Sequence, residues 1–493
     1  MIEISQINIA TISDYTKLLK YMPPEYMNKE IINIIQSICR DRVKKVLIEA
    51  PYYDSDYLST YYIFYSKKNR HYPKTCYRLH LIGAEEEYLG FFTLRPTKRN
   101  TKIGKSYLSP RLVLRDDAYI MLSSYTIHLL GEETAVKAFP WMKQETDITV
   151  CTHVAIWSIL RYYGNKYTVY PNVLMGDIVR RIPEYIERKF PLEGLKIQQI
   201  PDIFKQLGFT PIVQRCYYGK EINFQNELFS YIESGIPFIA CLPDQKHAVA
   251  VVGHGRVKME KLNHFEKLNH IIGSNMIASN ELIDEIIVND DNERPYCEIS
   301  KDINVFDENV YKGWSEQRKP YSIKDIVFIV VPLYNRMQYN YASLINKVKD
   351  YVKTNKIVED RIAREIMKNP EHNQFLDTEE KYVMRTYITS ANSLKRVVNK
   401  TFKGKGALQK ILLGLELPRF VWCVDFSTVD EYKKGKISAR IIVDTTCCNI
   451  DFFPYILIHN KWVIDYEDNG WQLVEATTAP YALYKNNLEE VRV

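Results

Sequence analysis

The stretch QETDITVCTHVAIWSILRYYG, Gln144 to Gly164, decides how the rest of the chain is read. It sets one cysteine, Cys151, at the front of an apolar run. HVAIWSILRYYG is apolar nearly all round, which predicts a buried helix stopped at Gly164. Cys151 then opens that helix, with Thr149 as its N-cap. A cysteine in this position is ordinarily a small buried hydrophobe. It becomes a nucleophile only as thiolate, which requires a base or a positive field. A helix N-terminus supplies part of that field through its free N–H groups and dipole. The same placement aims the Cys151 backbone N–H at a developing oxyanion. Gln144, a neutral donor seven residues upstream (151 − 144), can add a second.

The base must come from another part of the chain. His247 opens the run HAVAVVG (247–253), which predicts a strand paired with IPFIACL (236–242) across the polar turn PDQK. A histidine at a strand start can project from a sheet toward a helix end, and a third group must then orient its ring. The strand EIIVND (285–290) ends in Asn289-Asp290-Asp291-Asn292. Any of these could accept the imidazole N–H, and strand alternation does not choose among them; Asp290 is the one preferred. His254 competes with His247 but follows Gly253 at the far end of its strand. His153 lies two residues past Cys151, about 200° round the helix, and is read as structural.

Taken in order, these features resemble papain-like cysteine peptidases, in particular the bacterial C39-like branch. The carrying motifs are the Q…C helix ending in RYYG, then EGLKIQQIPDIFKQLGF, then GIPFIACLPDQKHAVAVVGHG, and last IIVNDDNERPY. The resemblance implies an α+β fold, a helix bundle packed on an antiparallel sheet. It implies Cys151 as nucleophile, His247 as general base and acid, Asp290 as orienter and Gln144 as oxyanion donor, with no metal or cofactor. It covers about a third of the chain. Thr152 stands where the family usually has glycine, and the spacing from Gln144 to Cys151 is one residue longer than usual. An insertion at 255–284 also separates His247 from Asp290 by 43 positions (290 − 247).

That insertion holds a small repeat, EKLNH at 260–264 and 266–270, with apolar residues at every third position from Met259 to Ile271. The spacing predicts a short amphipathic helix, either capping the strand ends or decorating the surface.

Outside this core the chain divides into a mixed α/β region (1–139) and a C-terminal α+β region (336–493), with the peptidase-like core at 140–335. A length of 493 residues fits two or three domains. The net charge of +6 is small and argues against nucleic acid as the main partner. The basic stretch RPTKRNTKIGKS (95–106) ends in GKS but has Arg99 where a phosphate loop needs glycine, so it is read as a solvated loop. The second basic segment, KTFKGKGALQK (400–410), matches no nucleotide loop. The N-terminus has no secretory pattern, and the most apolar run, VFIVVPLY (327–334), is too short to span a bilayer. Nine cysteines without C-x-x-C spacing fit reduced thiols in a cytoplasm, and Cys447-Cys448 is read as buried or incidental.

The expected activity is therefore hydrolysis of a peptide or isopeptide bond in a protein or peptide substrate, regulated by the flanking regions or by a protein partner. An acyltransferase using the same acyl-enzyme, or an inactive binding module of the same fold, are the alternatives.

Overall fold

In the computed structural model the described residues are 3–493, without 98, 130, 146, 183–194, 196, 302–320, 358–363, 365–372, 402–405, 447–455, 460, 461, 468, 469, 476–480 and 483–487. The chain is an α+β protein built on antiparallel sheets. Cys447-Cys448 and the middle of the second basic segment lie outside the described residues.

The central sheet positions the site. Its strands lie in the order Cys297–Ser300, Glu285–Asn289, His247–Gly255, Phe238–Leu242, Phe328–Leu333 and Thr210–Arg215. The middle strands are largely apolar because both of their faces are covered, whereas the edge strand Thr210–Arg215 is partly exposed. The helix Cys151–Lys166 packs against the His247–Gly255 strand, burying every residue from Thr152 to Tyr163. This helix continues two residues past the stop expected at Gly164. Gly164 instead marks a close approach: a Cβ there would stand 2.7 Å from the Pro171 carbonyl oxygen.

Two strands from outside 140–335 complete this sheet. Ala118–Met121 pairs with the far half of the histidine strand, Gly253 opposite Ile120, and Leu488–Val491 pairs with Ala118–Met121 in turn. A five-stranded antiparallel sheet carries Glu3–Asn8, Lys45–Tyr52, Cys76–Ile82, Tyr88–Leu94 and Ile103–Leu108. The last of these overturns the solvated-loop reading of RPTKRNTKIGKS. Residues 101–108 are almost all buried, and the Lys105 ammonium is neutralised by Asp54 at 2.7 Å and Asp56 at 3.6 Å. A basic residue is tolerated inside because it is paired.

The insertion is neither a cap nor a decoration. It leaves the sheet at Gly255, the end of the strand opposite His247, roughly 26 Å away along the strand. Its first part is the expected short amphipathic helix, formed as a 3₁₀ helix, Met259–Lys267, kinked at His264. Leu262 and Phe265 bury against Ile277, Leu282, Val383 and Tyr432. Its strand Met276–Ala278 then joins a third sheet, running parallel to Tyr382–Ser390 of the C-terminal region. With the excursion docked elsewhere, Glu285–Asn289 returns to pair with the histidine strand, Ala250 opposite Asn289.

Candidate active site

The site is built where the cysteine helix, the start of the histidine strand and the turn after Asn289 converge. Cys151 is the first residue of its helix. Thr149 is not the N-cap: Val150 takes that place, and the Thr149 hydroxyl accepts the Glu145 N–H at 2.9 Å. The end of the helix is closed from within instead. His153 Nδ1 accepts the Val150 N–H at 3.3 Å, and burial pushes this imidazole down to about 4. His153 is thus a neutral structural group, as its position on the helix predicted.

Continuing the pairing of Ala250 with Asn289 beyond the strand end sets residue 292 across from His247 (250 + 289 = 247 + 292). The chain turns there, Asp290 N–H donating to the Arg294 carbonyl at 3.2 Å, so that Asp290 and Asn292 both face the imidazole. His247 Nε2 lies 3.0 Å from Asp290 Oδ1, and Asn292 Nδ2 lies 3.2 Å from His247 Nδ1. The Cys151 thiol stands beside the ring and favours its charged form. Both His247 and Asp290 are buried, while Cys151 is half-buried. Of the four residues at the strand end, Asp290 therefore meets Nε2. Asn289 is used elsewhere: its Nδ2 donates to the Pro140 carbonyl at 3.1 Å and its Oδ1 accepts the Tyr296 N–H at 3.0 Å. His254 sits at the other end of the strand, 3.4 Å from Glu233.

Electrostatics in this pocket favour charge on both partners. Burial opposes a charged ring, but the Asp290 carboxylate beside it, its hydrogen bond and the Cys151 contact raise His247 well above the ordinary histidine value. Burial likewise opposes ionised Asp290. The His247 charge and hydrogen bond, the Asn292 N–H at 2.8 Å and the Tyr321 hydroxyl at 2.8 Å outweigh it, holding the carboxyl well below the usual range.

Donor-type atoms of His247, Asp290 and Asp291 lie within 4.8 Å of one another. A carboxylate offers about four lone-pair sites. Asp290 Oδ1 faces His247 Nε2 and accepts from the Asn292 and Glu293 N–H groups, and Oδ2 accepts from the Tyr321 hydroxyl. These contacts place the ionised carboxylate where it favours a proton on His247.

Gln144 stands at the rim, half-buried, with Nε2 donating to Asn292 Oδ1 at 2.8 Å. An amide nitrogen has two hydrogens, so one is bound to Asn292 and the second can serve an oxyanion. The segment carrying Gln144 is stitched to the turn on one side. Trp141 Nε1 donates to the Asp290 carbonyl at 2.8 Å, and Lys143 Nζ to the Asn292 carbonyl at 2.6 Å. On its other side the N-terminal region holds it: Arg95 pairs with Glu145 at 2.7 Å and donates to the Lys143 carbonyl at 2.7 Å.

The sequence reading missed Tyr321, Arg95 and the bridging use of Asn292. Tyr321 is 31 positions from Asp290, and no local pattern marks it. Arg95 sat in the segment taken for a loop. No protein-family model matches the chain, and neither a curated protein nor a solved structure is significantly similar to it.

Proposed function

We propose that the protein is a cysteine peptidase of papain-like architecture, hydrolysing a peptide or isopeptide bond through a Cys151–His247–Asp290 triad and an acyl-enzyme. The observation that carries this reading is the buried imidazole of His247, held by Asp290 on Nε2 and meeting the thiol of a helix-terminal cysteine. Cys151 Sγ gives its proton to Nδ1, and the thiolate attacks the carbonyl carbon. The oxyanion is met by the Cys151 N–H, which has no partner within its own helix, and by the Gln144 amide. The C–N bond breaks as His247 returns the proton to the leaving amine. Water then adds to the thioester, assisted by the same ring, and frees the acid. Asp290 stays ionised and fixes the ring tautomer. An amine in place of water would make the same acyl-enzyme a transferase intermediate.

The described cysteines are free thiols, which supports a reducing compartment such as the cytoplasm. No helix among the described residues is long and apolar enough to cross a membrane. The substrate of this reading is a protein or peptide. The extensive flanking regions are the natural place for a regulatory protein partner to act.

Intact-mass labelling with an electrophilic acyl or vinyl probe tests it. Wild-type protein is expected to gain one adduct at Cys151. Cys151→Ala should gain none, and His247→Ala should label slower by a factor on the order of 10³. A wild-type chain that leaves Cys151 unlabelled would favour the inactive binding module.

A further inference from the structure

Two side-chain amides link the imidazole to the proposed oxyanion donor. Gln144 Nε2 donates to Asn292 Oδ1 at 2.8 Å, and Asn292 Nδ2 donates to His247 Nδ1 at 3.2 Å. Each amide has one accepting oxygen and one donating nitrogen, so the chain has a direction. With the Nε2–H given to Asp290, the present direction is satisfied only while Nδ1 keeps a lone pair. When Nδ1 takes the thiol proton, an N–H faces an N–H. A half-buried donor left without an acceptor costs about 1–3 kcal/mol. Turning the Asn292 amide over brings Oδ1 to the new N–H and presents Nδ2 to Gln144. The Gln144 amide must then turn as well, Oε1 accepting from Asn292, and both its N–H groups are released.

The charged and titratable groups around the ring set where its proton equilibrium lies. Asp290, Cys151 and Asp291 favour the charged ring, and Tyr321 donates to Asp290. Lys143 holds the Asn292 carbonyl and so fixes the backbone under this amide. None of these dictates which way the Asn292 side chain points.

We propose that Asn292 is a positioning residue that couples protonation of His247 Nδ1 to the orientation of Gln144, so that thiolate and oxyanion donor arise together. The inference rests on the peptidase reading above. In the step itself one proton leaves Cys151 Sγ and binds His247 Nδ1. Two hydrogen bonds reverse direction, and no other atom is exchanged.

The test is Gln144→Glu, made alone and together with Asn292→Ala. A carboxylate only accepts, so the substitution fixes Asn292 with its nitrogen toward position 144 and its oxygen toward the protonated ring. The added charge would also stabilise the ring by simple attraction, and the Asn292→Ala background isolates that contribution. The readout is the pH profile of Cys151 alkylation by iodoacetamide, followed by peptide mass, since this reaction forms no oxyanion. Gln144→Glu alone is expected to move the upper midpoint up by about one pH unit, the effect of one hydrogen bond to a charged group. Most of that shift should vanish in the double variant. An equal shift with and without Asn292 would overturn the coupling. If Asn292→Ala does not fold, Asn292→Ser, whose shorter side chain cannot span the gap, takes its place. Slow, uniform alkylation of all thiols in the wild-type chain would instead overturn the pairing of Cys151 with His247 itself.

Discussion

Among single residues, His153 shows how burial fixes a role. Its imidazole is held at about 4 against an ordinary 6.5, because burial penalises the charged form. A histidine with a depressed folded-state value favours folding fully above the unfolded value. That stability is lost as pH falls from about 6.5 toward 4. The span corresponds to about 3 kcal/mol. His153→Gln, which cannot titrate, should flatten the fall in urea midpoint between those pH values. An unchanged slope would show that other groups govern it. His247 is the opposite case, raised by Asp290, so its contribution is present at low pH and lost as pH rises through its folded value. Two histidines of one chain thus answer pH in opposite senses, by neighbour alone. Type and order singled out Cys151, Gln144, His247 and Asp290, and the fold brings these four to one place. Asn292 was legible only as a possible acceptor, because a side chain's hydrogen-bonding direction depends on partners far away in sequence.

Secondary-structure elements were legible where a periodic apolar run decides them. The cysteine helix and the paired strands 238–242 and 247–255 form close to where the pattern sets them. The reading failed where polar residues are buried, as at Lys105, whereas the spacing by three at 259–267 gives the expected short amphipathic helix in 3₁₀ form. The crossing of the histidine strand by Ala118–Met121 supplies a test of element pairing. A Cβ on Gly253 would stand 2.2 Å from the Tyr119 carbonyl oxygen, whereas one on Gly255 would first meet the Glu285 carboxylate at 2.9 Å. Backbone cannot give way cheaply, but a side-chain end can. Gly253→Ala should therefore destabilise by about 3 kcal/mol or more, and Gly255→Ala by under about 1. Equal urea midpoints for the two would refute the close approach.

Across the whole molecule, one hydrophobic core runs from Ile7 to Val491, and buried charges join its parts. Glu233 of the central region is paired with Arg385 of the C-terminal sheet at 2.7 Å and with His254 at 3.4 Å. Burial works against the ionised carboxyl, yet Arg385 and His254 hold it at about 2, below the ordinary 4.5. Its stabilisation is present above pH 4.5 and is lost as pH falls toward 2. Arg385→Ala leaves this buried carboxylate short of its main partner, at a cost of about 3–5 kcal/mol. Adding Glu233→Gln should recover part of it, and a double variant no more stable than Arg385→Ala would argue against the pair. The N-terminal region is tied in as firmly, through Arg95 on the segment that carries Gln144. The flanks are thus parts of the scaffold around the site, a relation that no boundary drawn along the sequence could display.

The sequence by itself singled out the residues that the fold brings to the candidate site, and which runs are helix or strand, because side-chain type and apolar period act locally. Only the tertiary structure decided that Asp290 rather than its neighbours meets His247 Nε2, that Asn292 bridges His247 to Gln144, and that the insertion docks on the C-terminal sheet away from the site. Those outcomes depend on the turn after Asn289, on strand register and on burial, which place residues tens to hundreds of positions apart within hydrogen-bond distance.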